Sequence, residues 1–148
     1  MVTFDDIFDA ACTGNTSILQ QYTPDDVAHI DINQYSPKSK QSVLHITAKN
    51  GHDTFITALY SLFSDTINPN ITDSNYDTPL LIAALYGHSN YIMALHACFG
   101  DKINFNAVGG YEEHNALMLA TLFNHADCIT TLYNIYGDKI DCTAVDSK

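Results

Sequence analysis

Two short stretches bring histidine and cysteine close enough in sequence to suggest nucleophilic catalysis: residues 96–98 (HAC) and 125–128 (HADC). Such catalysis needs a nucleophile, a base that activates it and a third group that orients the base. On a helix, residues two apart point to different faces, whereas residues three apart can share one. The spacing therefore leaves His125 and Cys128 as the one pair that could meet.

Metal and phosphate sites have weaker support than this pair. The chain has seven histidines, but no His-Glu-x-x-His pattern and no glycine-rich phosphate loop. His29, His96 and His114 follow none of the spacings that are typical of metal ligands. The paired acids at 25–26 and 112–113 are typical of solvated caps and loops. We therefore predict no metal ion, no cofactor and no catalytic residue.

The charge of the chain argues against nucleic acid and anionic membranes as partners. Seventeen Asp and Glu residues face six lysines, arginine is absent, and the net charge is −11. Binding to a phosphate backbone requires clustered Lys and Arg. The charge instead favours a basic or apolar protein surface as partner, although acidic residues that only solvate the outer faces would explain it equally well.

Cysteine usage indicates a reducing compartment. The four cysteines have no paired C-x-x-C spacing, and we expect free thiols in a cytoplasmic protein; they are Cys12, Cys98, Cys128 and Cys142. No apolar run approaches the roughly 18 residues that a membrane span needs. The first residues carry Asp5 and Asp6 in place of the basic start of a secretory signal.

One stretch recurs along the chain and predicts its architecture. Residues 73–88 read DSNYDTPLLIAALYGH, in which turn-forming side chains precede the helix start Thr78-Pro79, and Gly87 ends the helix. Related stretches are SVLHITAKNGH (42–52), NALMLATLFNH (115–125) and IFDAACTGN (7–15). Their equivalent small residues are 37, 36 and 37 positions apart: Ala11, Ala48, Ala84 and Thr121. Self-similarity at this period indicates a repeat array.

The motif at 78–88, Thr-Pro-Leu-x-x-Ala-Ala-x-x-Gly-His, resembles the ankyrin repeat, and Leu44-His45 supplies the Leu-His pair of that family in the second unit. The resemblance implies an all-α solenoid of four helix pairs with β-hairpin-like fingers between them. The single domain would cover 1–148, with units at about 1–34, 35–71, 72–107 and 108–148. Another helical-pair solenoid is the alternative, although the Trp and Tyr pattern of the TPR family is absent.

The resemblance also changes the interpretation of the histidines and cysteines. His125 falls at the Gly-His position of the family, where the ring bonds backbone between units, and Cys128 falls at a core position. His52 and His88 occupy the same Gly-His position in earlier units. We therefore expect a structural pair and no enzyme.

The units are about three residues longer than the roughly 33 of the usual ankyrin repeat. The additional residues are patterned, with an aromatic residue followed by isoleucine in successive units. We expect them to extend the outer helix and to form a stacked layer, made of Phe63, Phe99 and Tyr136 with Ile30, Ile67, Ile103 and Ile140.

The resemblance places a partner on the concave face, which inner-helix ends and finger tips would form. Large apolar residues precede the Gly-His position in two adjacent units, and exposed apolar patches usually mark a partner site. Packing against the fingers or against further repeats is the alternative. The predicted protein-binding residues are Lys49, Asn50, Tyr76, Leu85, Tyr86, Tyr111, Leu122 and Phe123.

We therefore expect a monomeric, non-catalytic protein–protein interaction module. Residues 141–146 (DCTAVD) mirror 104–109 (NFNAVG), which lead into a new repeat, so we expect the chain to be a piece of a longer protein. The alternative function is a targeting or substrate-recruiting arm of a larger effector enzyme whose active site lies beyond residue 148. Such an effector would act in the cytosol of a host cell.

Overall fold

Each inner helix begins with a side chain that caps its free N–H groups, as the recurring motif predicts. The computed structural model of the chain describes residues 1–110 and 112–140. In every unit the capping side chain accepts a hydrogen bond from the amide three residues later; the caps are Thr3, Ser42, Thr78 and Asn115. Pro79 occupies the first helical position, where its missing N–H costs nothing.

Across the residues that the structure describes, seven α-helices form two rows. In chain order they are α1 (Phe4–Thr13), α2 (Val43–Asn50), α3 (Asp53–Phe63), α4 (Pro79–Tyr86), α5 (Ser89–Phe99), α6 (Ala116–Leu122) and α7 (Ala126–Tyr136). The inner row packs in the order α1, α2, α4, α6, and the outer row packs α3, α5, α7. Each outer helix also packs on the inner helix that precedes it. The structure confirms the all-α solenoid of helix pairs.

The outer element of the first unit is not an α-helix, which corrects the expectation of a complete helix pair in that unit. Two 3-10 helices, Thr16–Gln21 and Pro24–Val27, take its place and pack on α3. Proline disfavours helical backbone at the residue before it, and Thr23 is accordingly extended at φ −102° and ψ 166°. The chain therefore turns twice instead of completing one helix.

Three fingers join the units: finger A (35–41), finger B (73–77) and finger C (107–114). Each is closed by a backbone hydrogen bond, from Ser36 to Gln41 (2.9 Å), from Asp73 to Asp77 (3.1 Å) and from Gly109 to His114 (3.2 Å). Over 1–110 and 112–140 no residue is assigned to a β-strand. The fingers are thus hairpin-like turns that are too short for a strand ladder.

Glycines end the inner helices because the next unit comes very close. Gly14, Gly51 and Gly87 adopt left-handed φ angles of 77°, 72° and 80°, which glycine takes without steric cost. A Cβ atom on Gly51 would also lie 2.7 Å from Nδ1 of His88 in the following unit. Asn124, at φ 61°, takes the glycine position in the last unit.

The extra residues of each unit form a 3-10 turn after the outer helix instead of lengthening the α-helix. The turns are Ser64–Thr66, Gly100–Lys102 and Gly137–Lys139. The expected aromatic–isoleucine layer is buried at six of its seven positions, and Ile30 is only half-buried. The buried members are Phe63, Phe99, Tyr136, Ile67, Ile103 and Ile140. The rings of Tyr60 and Phe99 meet edge to face across two units, with centroids 5.1 Å apart.

The core runs continuously between the rows, and its coverage falls towards the last unit. Leu44 and Leu80 are almost completely buried. The equivalent Leu117 of the last unit is only half-buried. Among the described helices, α6 packs on α4 and α7, whereas α4 has inner helices on both sides.

This difference in coverage is measurable with matched substitutions. Leu80→Ala should lower the free energy of unfolding by about 2–5 kcal/mol, because it opens a cavity between two units. Leu117→Ala should cost less than half as much, since part of that side chain already lies in water. Urea unfolding followed by circular dichroism measures both values, and equal losses would contradict the partial exposure of Leu117.

Candidate protein-binding face

His125 and Cys128 serve the repeat and are poorly suited to nucleophilic chemistry. Nε2 of His125 lies 2.9 Å from the carbonyl oxygen of Leu85 in the preceding unit. Cys128 is fully buried, and burial, together with the charge of Asp127, raises the pKa of its thiol to about 11. A thiol that stays protonated at neutral pH is a weak nucleophile.

The described part of the chain offers no alternative catalytic metal centre. Among residues 1–110 and 112–140, no group of three or more His, Cys, Asp or Glu side chains could hold a metal ion. Across the same residues, every helix is too short or too polar to cross a lipid bilayer.

The Gly-His histidines position residues of the predicted binding face. Nε2 of His88 lies 2.9 Å from the carbonyl oxygen of Lys49, as His125 does from that of Leu85. The last carbonyls of a helix have no partner inside the helix, so each ring satisfies one from the neighbouring unit. Both carbonyls belong to candidate binding residues, which are thereby held in register with the next unit.

A buried histidine attaches finger B to α2. Nδ1 of His45 lies 2.7 Å from Oγ of Ser42, and Nε2 lies 2.9 Å from the carbonyl oxygen of Asp77. The Asp77 carbonyl can only accept, so Nε2–H donates to it. In the neutral ring Nδ1 is then the acceptor, and the Ser42 hydroxyl donates to it. Complete burial lowers the pKa of this imidazole, because the charged form would lose its hydration.

Asparagine side chains join successive units behind the fingers. Nδ2 of Asn33 donates to the carbonyl of Thr66 (2.7 Å), and Nδ2 of Asn70 donates to that of Lys102 (2.7 Å). Asn106 repeats the contact one unit further on, with the carbonyl of Lys139 at 3.1 Å. The sequence interpretation missed this ladder, although the constant spacing of these asparagines was a usable signal.

The concave patch, which we define as Leu85, Tyr86, Leu122 and Phe123, lies at the ends of α4 and α6. Tyr86, Leu122 and Phe123 are 46%, 51% and 40% exposed, whereas Leu85 is half-buried against the core. In the unit before it, the exposed Lys49 places Nζ 5.9 Å from the centre of the Tyr86 ring. Asn50 beside it is exposed as well.

Of the two finger tyrosines predicted to bind a partner, the structure describes Tyr76 but not Tyr111. Tyr76 stands at the tip of finger B and is 73% exposed. It lines a groove of about 530 Å³ together with Ser74, Asn75, Asp77, Leu85 and Gly110. Leu85 therefore belongs to both the groove and the concave patch. Tyr111 lies outside the described residues.

Asp77 is a residue that the sequence interpretation did not single out. It is 8% exposed and lines the groove, and its Oδ1 atom has no hydrogen-bond partner. Burial and the nearby Asp73 raise the pKa of its carboxyl group, an effect that the backbone amide of Gly110 partly offsets. From the sequence alone, an acidic residue before a Thr-Pro helix start is expected to be exposed to solvent. The burial of Asp77 becomes visible only when finger C is seen to pack against it.

Comparison with known proteins agrees with this architecture. A family model described as "Ankyrin repeats (3 copies)" matches residues 57–146, which is more than half of the chain. None of the curated proteins searched matches the chain. The matched region contains both helices that carry the concave patch.

The buried His45 predicts a pH dependence of stability. Its folded pKa lies below the ordinary value of 6.5, so its contribution is complete above pH 6.5 and declines as the pH falls below that value, where the unfolded chain takes up the proton first. Thermal unfolding between about pH 7.5 and 5.5 should therefore show a steeper loss of stability for the wild type than for His45→Asn. Parallel profiles would contradict the neutral, buried imidazole.

Proposed function

This chain belongs to the ankyrin repeat family, and on that premise we propose that it is a non-catalytic module that binds a protein partner through its concave face and fingers. Ankyrin repeats generally mediate protein–protein interaction. The proposed contact residues on the described part of the chain are Lys49, Asn50, Tyr76 and the concave patch.

The observation that carries this proposal is the exposure of the concave patch. Tyr86 and Phe123 lie at the ends of adjacent inner helices, and both side chains are exposed to solvent. Contiguous exposed apolar side chains are unfavourable in water unless a partner covers them. Tyrosine is a frequent anchor at such interfaces, because it combines a large ring with a polar tip.

The charge supports a protein partner over nucleic acid. A net charge of −11, with no arginine, would repel a phosphate backbone. The same charge opposes close approach of a second copy of the chain, which supports a monomer.

The cysteines support a reducing, cytoplasmic environment. Cys12, Cys98 and Cys128 are free thiols. Cys128 is a core residue, and persistent free thiols of this kind are typical of cytosolic proteins.

A double substitution tests the concave patch. Tyr86→Ala with Phe123→Ala should reduce partner capture from extracts of the cells that make the protein by more than about tenfold, since interface anchors each contribute about 2 kcal/mol or more. Thermal unfolding should change little, because trimming exposed side chains costs only about 0.5–1 kcal/mol each. Quantitative mass spectrometry of the captured proteins provides the measurement.

Met93→Ala with Tyr133→Ala is the matched control, because these side chains are equally exposed but lie on the outer helices. The control should keep the captured proteins. Unchanged capture by the patch variant, or loss of its fold, would refute the assignment of the concave patch as the binding site.

A further inference from the structure

The groove between fingers B and C is lined by a buried carboxylate that no cationic side chain of the described residues pairs with. Asp77 is 8% exposed, and Oδ1 has neither a hydrogen-bond donor nor a counter-ion. Buried polar atoms are nearly always paired, because an unpaired one retains the full cost of its lost hydration. Oδ1 is enclosed beside Gly109 while Asp77 lines the groove, so this unpaired oxygen requires an explanation.

The wall of the same groove carries an exposed aromatic ring on unfavourable backbone. Tyr76 has φ 66° and is 73% exposed. A side chain with a Cβ atom is strained at such an angle, whereas glycine is not. Lys40 and Glu113 take the same left-handed angle at the same place in fingers A and C, so the turn of the finger sets this backbone. The turn holds the Tyr76 ring outward at the wall of the groove.

Two glycines bring finger C against finger B and so build the groove. A Cβ atom on Gly109 would overlap Oδ1 of Asp77, and one on Gly110 would overlap the carbonyl oxygen of Asn75. The two fingers also concentrate negative charge, because Asp73 lies in finger B and Glu112 and Glu113 lie in finger C. Leu85 supplies an apolar surface at the inner edge.

We propose that this groove receives the side chain of an arginine or lysine from the bound protein partner, an inference that rests on the proposed function and specifies its partner. The aliphatic stem would lie on Leu85, and the cationic group would stack on the face of Tyr76. Among the described residues the Asp77 carboxyl group has the Gly110 amide beside it but no cationic side chain, and the cation of the partner would balance its charge. An acidic or purely apolar side chain would leave this charge uncompensated, so the groove selects for a basic residue.

Peptide titration tests this assignment directly. The probe is acetyl-Gly-Gly-Arg-Gly-Gly-amide, added to the ¹⁵N-labelled full chain and followed in ¹H–¹⁵N spectra. We expect saturable shifts at Tyr76, Asp77, Leu85 and Gly110, with a dissociation constant of about 10 mM or tighter. The peptide with citrulline in place of arginine has the same shape without the charge and should bind at least about fivefold more weakly.

Two substitutions in the groove are designed to preserve the fold. Asp77→Asn keeps the shape of the side chain and removes its charge, and it should weaken the arginine peptide about tenfold. Tyr76→Gly suits the left-handed backbone, so it should weaken binding about threefold while leaving the unfolding temperature equal or higher. Asp138→Asn, an equal charge change at an exposed site in the last 3-10 turn, should leave the affinity unchanged.

Equal affinity of wild type and Asp77→Asn would overturn the proposal. So would shifts that map away from the groove, or the absence of saturation at concentrations well above about 10 mM. The double variant Tyr86→Ala with Phe123→Ala should bind the arginine peptide as the wild type does. The experiments therefore test the proposed arginine or lysine site and the proposed concave binding patch independently.

Discussion

The close contact between a left-handed glycine and the histidine of the next unit governs the spacing of the whole array. In the second and third units the glycine leaves no room for a side chain, and the ring of His88 or His125 occupies that space. Each ring then satisfies a helix-end carbonyl of the preceding unit. Because one contact sets both distance and register, every later feature recurs in the same relative place. The single asparagine at this position, Asn124, keeps the backbone angle in the last unit.

The apolar interior depends on that spacing, because no helix pair encloses it alone. Small residues of the inner row, such as Ala48 and Ala84, have no exposed surface and allow the helices to approach closely. Tyr91 shows how far the units interpenetrate: its hydroxyl reaches Thr47 at 2.8 Å and the carbonyl of Leu44 at 3.1 Å in the preceding unit. Buried polar groups are satisfied across the boundary, so neighbouring units share hydrogen bonds as well as apolar area.

The same register places residues on the concave side that the interior does not need. Tyr86 and Phe123 lie at the ends of adjacent inner helices, and neither contributes a fully buried ring. Tyr76 and Asp77 meet Gly110 because finger C closes on finger B. These residues reduce the stability of the unit or leave it unchanged, and the core residues around them supply the rigidity that holds them in position.

Much of this protein could be read from local chemistry alone. The capping residues, the ending glycines and the period of the small residues act within one unit, so they predict the helix pairs, their order and the exposed candidates Lys49, Asn50, Tyr76, Tyr86, Leu122 and Phe123. The burial of Asp77, the asparagine ladder and the weaker cover of Leu117 depend on contacts between units, some 30 or more residues apart in sequence. Such contacts form only when the units stack. A sequence motif within one unit does not show which polar side chains will then be left without a hydrogen-bond partner. The sequence shows that position 77 is an aspartate but not whether its carboxyl group is solvated or buried. It is buried because Gly109 and Gly110 let finger C pack against it.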